Sequence, residues 1–363
     1  MNIGATFKSP DQCAFCVWAP LRDRVDLHLV SPLDRQYPMQ KDDQGYWHCQ
    51  VDGIDPGATY CFVLDGNLER PDPASRFQPA DVHSASGVID PQRFAWSDAA
   101  WSNIPLAELI IYEIHVGTFT PEGTFTAIIP RLKELRDMGI TAIEIMPVAQ
   151  FPGDRNWGYD GVYPFAVQNS YGGPDGLKQL IDASHAAGMA VILDVVYNHL
   201  GPEGNYLHGY GPYFTQKYRT PWGEALNFDD AYNEGVRNYF IQNALYWFED
   251  FHIDGLRLDA VHAIFDSSAK PFLSELQDDV AAWSKIKNKP VYLIAESDLN
   301  DARIINDRAA GGFGLKAQWS DDFHHAMHAL LTGEKDGYYR DFGGIRDVVK
   351  SLTDSFVYDW AYS

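Results

Sequence analysis

Residues 189–199, with the sequence MAVILDVVYNH, identify the architecture of the larger part of this chain. The stretch Met189–Val196 is apolar except for Asp194, a composition typical of a strand in a parallel sheet that is covered on both faces. A helical pattern precedes it, beginning at Pro174 and ending at Gly188. A strand that follows a helix in this way indicates a βα repeat, with Asp194 near the carboxyl end of the strand.

The alternation of apolar strand and amphipathic helix continues on both sides of this stretch, which predicts an α/β fold with a parallel sheet. The predicted strands are Leu109–Val116, Thr141–Met146, Met189–Val196, Ile253–Asp259, Pro290–Glu296 and Gly314–Trp319. The helices between and after them include one with Ile128, Leu132 and Leu135 on its apolar face, Phe272–Trp283 and Asp321–Leu331. A (β/α)8 barrel of the TIM type needs eight units. We therefore predict a barrel that is incomplete over these residues, with about six βα units.

The first 95 residues have a different pattern. Short extended segments alternate with Pro, Gly and Asp clusters, and they are Ala14–Trp18, Val25–Val30, Tyr46–Val51 and Thr59–Leu64. This pattern predicts a small β-sandwich over residues 1–95. Residues 96–108 are interpreted as a linker, and residues 109–363 as the partial catalytic barrel.

The charge balance excludes one class of partner. Lys and Arg number 28 and Asp and Glu number 50, so the formal net charge is −22. An acidic chain of this kind is unsuited to the phosphate backbone of nucleic acids.

Aromatic residues make up 14% of the chain. Their flat rings suit hydroxyl-rich ligands such as sugars, although core packing accounts for most of them.

The sequence also bears on the compartment. The opening MNIGATFKSP has no apolar stretch of the kind found in signal peptides, and no apolar run approaches the roughly 18 residues of a membrane span. Cys13 and Cys16 have a C-x-x-C spacing, but only Cys49 and Cys61 follow, which favours buried reduced thiols over a zinc site. We expect a cytoplasmic protein with no membrane association.

Three predicted strands end in carboxylates, namely Asp194, Asp259 and Glu296. The carboxyl ends of parallel strands form the mouth of an α/β active site, so three such groups favour catalysis, although a single strand-end Asp is often only a helix cap. Side chains alternate along a strand, which places Arg257 on the same face as Asp259, where it would keep that carboxylate ionised as a nucleophile requires.

Glu296 ends an otherwise apolar strand, an environment that raises the pKa of a carboxyl group and suits a proton donor. Neighbouring strands lie about 4.8 Å apart, so Asp259 and Glu296 are expected near the roughly 5 to 5.5 Å spacing of retaining glycosidases. His199 is interpreted as a donor to a sugar hydroxyl, with a backbone-bonded loop histidine as the alternative.

Several stretches resemble signature regions of the α-amylase superfamily, and the resemblance covers essentially the whole chain. They are 112–120 (YEIHVGTFT), 151–161 (FPGDRNWGYDG), 199–206 (HLGPEGNY), 259–264 (DAVHAI), 294–300 (IAESDLN) and 318–325 (QWSDDFHH). The first and third are shared in part with branching enzymes. The resemblance implies an immunoglobulin-like glucan-enzyme sandwich in front of the catalytic barrel.

Carried over residue by residue, the resemblance implies that Asp259 is the nucleophile and Glu296 the general acid/base. It also implies a substrate-binding set consisting of Arg257, His199, Tyr159, Trp157, Asp194, His262 and Asp322. In this set Tyr159 stacks beneath the sugar and Asp194 holds Arg257. The family's third acid, on strand seven, has no counterpart before Ser363.

The implied reaction is hydrolysis of the α-1,4 bond next to the terminal trehalose unit of maltooligosyl trehalose, or of another α-1,4-glucan, by double displacement. Two alternatives stay open: a 1,4-α-glucan branching enzyme, and a non-catalytic glucan-binding remnant. No cofactor is expected, since the Gly-rich stretches lack the spacing of phosphate loops. No dedicated metal site is expected either, although Asn198 occupies a position that binds calcium in some relatives.

The strand count carries one more expectation. With six of eight units, the first and sixth strands would each keep an unpaired edge, and the third carboxylate would be missing. We expect a polypeptide that ends at Ser363 to be poorly soluble and essentially inactive, and the functional protein to continue through two more βα units and a terminal β-domain.

Overall fold

The computed structural model describes residues 2–9 and 12–358, and its first part is a β-sandwich. The strands are β1 (Gly4–Ser9), β2 (Gln12–Trp18), β3 (Val25–Ser31), β4 (Arg35–Pro38), β5 (Gln40–Lys41), β6 (Tyr46–Asp52), β7 (Thr59–Leu64), β8 (Leu68–Arg70) and β9 (Ser86–Gly87). One antiparallel sheet has the order β1-β2-β6-β5, and the other has the order β4-β3-β7-β8 with β9 paired to β7. The predicted sandwich is confirmed, and its four predicted strands coincide with β2, β3, β6 and β7.

The sandwich core forms where the inward faces of the two sheets meet. Phe15 of β2 packs edge-on against Tyr60 of β7, with ring centroids 4.9 Å apart. The four cysteines are free thiols, and burial raises the pKa of each to about 12. They therefore stay protonated at neutral pH, a state in which a thiol is a poor nucleophile and metal ligand.

The second part alternates strands and helices. Its strands are β10 (Ile111–Ile114), β11 (Ala142–Ile145), β12 (Ala149–Gln150), β13 (Tyr163–Val167), β14 (Ala190–Val195), β15 (Phe214–Thr220), β16 (Gly223–Leu226), β17 (Gly255–Leu258), β18 (Tyr292–Ala295) and β19 (Ala317–Gln318). Its helices are α1 (Val116–Phe119), α2 (Phe125–Ile128), α3 (Leu132–Asp137), α4 (Gly173–Ala186), α5 (Leu207–Tyr210), α6 (Asn233–Asp250), α7 (Phe272–Lys287), α8 (Asp321–Thr332) and α9 (Ile345–Asp354).

One parallel sheet organises this part, with the strand order β10-β11-β14-β17-β18-β19. Each strand pairs in parallel with the next one in the sheet, so the six predicted βα units of an incomplete barrel are confirmed over the described residues. Two antiparallel hairpins, β12-β13 and β15-β16, lie outside this sheet. They follow β11 and β14 and thus extend the loops at the carboxyl ends of these strands.

Some predicted boundaries are wrong for identifiable reasons. The first predicted strand is limited to Ile111–Ile114, because Val116 already begins α1. The predicted helix with Ile128 on its apolar face is divided into α2 and α3 by a 3-10 turn over Ile129–Arg131. Pro130 lies in this turn and has no amide hydrogen for a helical bond.

The sandwich packs on the barrel part through one continuous hydrophobic core. Trp18, at the end of β2, packs edge-on against Tyr213 with centroids 5.1 Å apart. Its ring also covers Gly235 of α6, where a Cβ atom would lie 2.0 Å from the indole. Tyr239 of α6 donates a hydrogen bond to the carbonyl of Pro73 at 2.7 Å. Residue 235 therefore has no room for a side chain.

A buried charge network holds the segment before β10 against the amino-terminal side of the sheet. Nδ1 of His185 contacts Asp98 at 2.8 Å, and its Nε2 contacts Asp254 at 3.0 Å. His252 contacts the same Asp98 oxygen at 2.8 Å. Burial disfavours the charged ring, but the hydrogen bonds to Asp254 and Asp98 outweigh it and raise the pKa of His185.

The described part of the chain holds no helix that is long and apolar enough to cross a membrane.

Candidate active site

The predicted strand-end carboxylates meet at one edge of the parallel sheet. Asp194 of β14 lies level with Arg257 of β17, since the strand register pairs these two residues. Asp259 follows the last residue of β17, and Glu296 follows the last residue of β18. The order β14-β17-β18 therefore brings all four charged side chains to the carboxyl end of the sheet, where α/β folds place their active sites.

A single guanidinium joins these carboxylates. Nη1 of Arg257 donates to the two oxygens of Asp194 at 2.9 and 2.8 Å and to Oδ1 of Asp259 at 2.8 Å. Its Nη2 lies 3.6 Å from Oε2 of Glu296. Asp259 and Glu296 thus contact the two ends of one planar group. This arrangement keeps them inside the roughly 10 Å beyond which two carboxylates cannot serve one glycosidic bond.

Asp259 is held at both of its oxygens. Besides Oδ1, which Arg257 contacts, Oδ2 accepts a hydrogen bond from Nδ2 of Asn198 at 2.7 Å. The same amide nitrogen donates to the main-chain carbonyl of Asp259 at 2.8 Å. The side chain of Asp259 keeps 12% exposure, so it is oriented by the protein without being sealed from a ligand.

Glu296 receives its hydrogen bond from an unusual turn. The amide of Ala260 donates to Oε2 of Glu296 at 2.6 Å. Ala260 has φ 40° and ψ 53°, a left-handed conformation that costs a residue other than glycine about 1–2 kcal/mol. The residue directly after Asp259 is therefore strained in a way that aims its N–H at Glu296. Burial raises the pKa of Glu296, and the nearby Arg257 opposes this effect.

Asp194 holds Arg257 in place and is itself bound by Tyr159. The hydroxyl of Tyr159 donates to Oδ2 of Asp194 at 2.9 Å. The Asp194 side chain has no solvent exposure, and burial raises its pKa to about 7 although Arg257 opposes the shift. Because both oxygens of Asp194 are occupied by Arg257 and Tyr159, this carboxylate orients its neighbours and offers no free atom to a ligand.

His199 forms part of the wall of the site. Its Nδ1 makes a short contact with Oδ1 of Asn198, and its Nε2 contacts the carbonyl of Tyr159 at 3.0 Å. Trp222, from the turn between β15 and β16, stacks on the imidazole with centroids 4.7 Å apart and is 52% exposed. Burial lowers the pKa of His199, and the charge of Asp259 opposes this. Both ring nitrogens are therefore engaged within the protein.

Trp157 and His262 flank this centre from two loops. Trp157 lies between β12 and β13 and is 74% exposed, so its ring is free to meet a ligand. Nδ1 of His262 lies 3.5 Å from Oδ1 of Asp298 but has no hydrogen bond to any described residue.

Asp322 has a different environment from the other predicted binding residues. Its Oδ2 accepts hydrogen bonds from the amides of Val357 and Tyr358, at 2.6 and 3.0 Å, and from Nδ2 of Asn300 at 2.9 Å. These bonds tie residues 357 and 358 to the start of α8. Within the described residues, none of its hydrogen bonds reaches the Arg257 cluster.

Sequence reasoning missed two carboxyl groups near the site. Glu144 of β11 is only 3% exposed, and burial, with a contribution from Asp194, raises its pKa to about 8. Its signal was a lone acid inside the apolar strand AIEI. The pKa of Asp321 is also raised, by burial and by the charge of Asp298.

Among the described residues, no three His, Cys, Asp or Glu side chains lie close enough together to hold a metal ion.

Comparison with known proteins defines the class. Residues 2–76 match the family described as carbohydrate-binding module 48 (isoamylase N-terminal domain), and residues 88–221 match the family described as alpha amylase, catalytic domain. A crystal structure titled a putative alpha amylase from Salmonella typhimurium has a TM-score of 0.89 and 40% sequence identity, and the match covers 98% of this chain and 60% of that one. The chain belongs to the α-amylase superfamily.

The curated relatives are more specific. The malto-oligosyltrehalose trehalohydrolase of Saccharolobus solfataricus is 52% identical over 353 residues, which cover 97% of this chain and 61% of that protein. A 1,4-alpha-glucan branching enzyme of Corynebacterium jeikeium is 30% identical, over 96% of this chain and 52% of its own length. Within the superfamily, the chain is thus a relative of the malto-oligosyltrehalose trehalohydrolases and spans about three fifths of their length.

Proposed function

We propose that the protein hydrolyses the α-1,4 bond next to the terminal trehalose unit of maltooligosyl trehalose, with retention at the anomeric carbon. The observation that carries the proposal is the guanidinium of Arg257, which contacts both Asp259 and Glu296. Two carboxylates so held are close enough to act on one glycosidic bond, and the double displacement that the family resemblance implies proceeds with retention. The substrate is supported by the 52% identity to a trehalohydrolase, against 30% to a branching enzyme.

In the first step, Glu296 protonates the bridging oxygen while a carboxylate oxygen of Asp259 attacks the anomeric carbon. The bond between that carbon and the bridging oxygen breaks, trehalose leaves with a free hydroxyl, and the glucan remains on Asp259 as an ester. Because burial raises the pKa of Glu296, the protonated form needed here is favoured.

In the second step, Glu296 is a carboxylate and takes a proton from water, whose oxygen attacks the same carbon. The ester breaks and Asp259 is regenerated. Arg257, 3.6 Å from Glu296, stabilises the carboxylate at this stage. The alkaline limb of the pH profile of kcat/KM then reports the ionisation of Glu296.

The remaining residues hold the sugar or the catalytic groups. Tyr159 stacks beneath the sugar at the cleaved bond, and exposed Trp157 supplies a second ring. His262 is assigned to the neighbouring sugar through the exposed part of its ring, since its side chain is 28% exposed while its Nδ1 is buried 3.5 Å from Asp298. His199, Asp194 and Asp322 act as positioning residues, as do Asn198 and Trp222, through the contacts described above.

We infer a cytoplasmic site of action. Four free thiols suit a reducing compartment, because disulfides persist mainly in oxidising ones.

The test is the release of trehalose from maltotriosyl trehalose by the full-length protein, followed by chromatography. We expect free trehalose and maltotriose whose new reducing end is first formed as the α-anomer, as read by NMR. Asp259→Asn should lower kcat by about 10³-fold or more and leave oligosaccharide affinity within about threefold. Asp43→Asn, an exposed aspartate in the sandwich, is the matched control and should not change kcat.

The other outcomes would assign a different function or reject the role of Asp259. New α-1,6 branches on amylose without trehalose release would identify a branching enzyme. Oligosaccharide binding without turnover would identify a glucan-binding protein. Turnover by Asp259→Asn at the wild-type rate would reject Asp259 as the nucleophile.

A further inference from the structure

We propose a second α-glucan site, separate from the Arg257 cluster, in a cleft between the sandwich and α6, with Tyr232 as its stacking ring. The cleft has a volume of about 440 Å³, within the range of ligand sites. Its lining includes Trp18, Gln44, Tyr46, Tyr232, Glu234 and Asn238. The choice of ligand rests on the α-glucan of the proposed function, but the site takes no part in the reaction.

Tyr232 is the residue that ordinary packing does not explain. It has φ 66° and ψ 18°, a left-handed conformation that costs a bulky residue about 1–2 kcal/mol. Its side chain is 50% exposed, and it has no hydrogen bond or ring contact with another described residue. Core packing therefore does not account for a half-exposed ring on a strained backbone. The ring is available to stack on the apolar face of a sugar.

The polar groups of the cleft set the class of ligand. The side chains of Gln44 and Glu234 are exposed and make no hydrogen bond or ion pair with any described residue. Asp42, by contrast, is engaged in its own turn, where Oδ1 accepts from the amides of Gln44 and Tyr46 at 3.0 and 2.9 Å. No Lys or Arg is among the lining residues. One free amide and one free carboxylate without a cation suit a neutral, hydroxyl-rich ligand and repel an anionic one.

Two hydrogen bonds hold the residues that line the cleft. Nε1 of Trp18 donates to the carbonyl of Gln44 at 3.3 Å, and Nδ2 of Asn238 donates to the hydroxyl of Tyr46 at 2.7 Å. The second bond joins the sandwich to α6. Because these contacts already fix both walls, a glucan would enter a preformed cleft and would not have to order it.

The experiment is calorimetric titration of the full-length protein with maltoheptaose in the Asp259→Asn background, which prevents turnover. We expect two binding events. Adding Tyr232→Ala should abolish one event or weaken it at least tenfold, and should leave the Kd of the other unchanged. Adding Tyr159→Ala should affect only the other event, and Tyr232→Phe should retain both.

Tyr232→Gly separates binding from folding, because glycine adopts the left-handed conformation without strain. We expect this variant to lose the second event while its Tm stays equal to that of the parent or rises. The proposal is overturned if Tyr232→Ala keeps both events, if a single event depends only on Tyr159, or if maltoheptaose does not bind at about 10 mM. Tyr232-dependent binding in a protein that releases no trehalose would reject the proposed function and leave this site standing.

Discussion

Glu144 shows at the scale of one residue how burial makes stability depend on pH. Its folded pKa is about 8, against 4.5 for an ordinary glutamate, so the unfolded chain releases its proton first. The contribution of Glu144 to the free energy of unfolding is therefore fully present below pH 4.5 and is lost as the pH rises towards 8. Oε2 of Glu144 has no hydrogen bond to a described residue, so an amide in its place would forfeit none.

We predict that Glu144→Gln is about as stable as the wild type at pH 5 and more stable by roughly 4 kcal/mol at pH 9. Urea unfolding at the two pH values measures the difference. Glu122→Gln, on an exposed loop, is the control and should be neutral at both. A Glu144→Gln effect that does not vary with pH would contradict the argument.

The same scale shows what a sequence can reveal about a site. Asp194, Asp259 and Glu296 were predictable because charges at the ends of apolar strands are conspicuous and parallel strands end at one edge. The strain at Ala260 was not, because φ depends on how the loop after β17 closes onto β18. Glu144 was overlooked because its neighbours in β11 gave the pattern of an ordinary buried strand.

At the scale of one element, the segment that precedes β10 is held in place by buried charged groups. Hydrogen bonds from His252 and His185 lower the pKa of Asp98, although burial opposes this, and the pKa of His185 is raised in turn. The stabilisation from His185 is therefore fully present below pH 6.5 and is lost as the pH rises through its higher folded pKa.

We predict that Asp98→Asn destabilises the protein by about 3 kcal/mol at pH 6 and by less at pH 9, because it leaves a buried imidazolium without one of its partners. Urea unfolding at both pH values is the measurement. Asp182→Asn is the matched control, since among the described residues Asp182 accepts only from Ser97 of the same segment, at 2.7 and 2.8 Å. An equal cost of Asp98→Asn at both pH values would mean that His185 is not charged.

Elements with a clear period were predictable, and those shaped by tertiary contacts were not. Helices α4 and α7 follow from apolar periodicity, and most strands of the parallel sheet follow from short apolar runs. The hairpin β15-β16 carries exposed polar side chains, so no apolar alternation marks it. The predicted strand at 314–319 shrinks to Ala317–Gln318, where pairing with β18 ends.

At the scale of the whole molecule, the sandwich and the barrel part should unfold together, because one hydrophobic core passes through both.

We predict that Gly235→Ala lowers stability by about 2 kcal/mol and Tm by several degrees, since its Cβ would overlap the ring of Trp18. Differential scanning calorimetry should show one transition, shifted as a whole. Gly209→Ala is the control, because its Cβ would meet Leu68 at an ordinary 3.7 Å. Two separate transitions would disprove a shared core.

Position 260 is tied to both carboxylates of the site at once. The turn with φ 40° sets the direction of Asp259 on one side and sends its own N–H to Glu296 on the other. Glycine, asparagine and aspartate accept such a turn readily, whereas β-branched residues do not. The backbone therefore limits which substitutions this position tolerates, whatever sugar the cleft accepts. A lineage that acquired valine there would separate the nucleophile from its proton donor while keeping both, and would recover only by reversion or by rebuilding the turn.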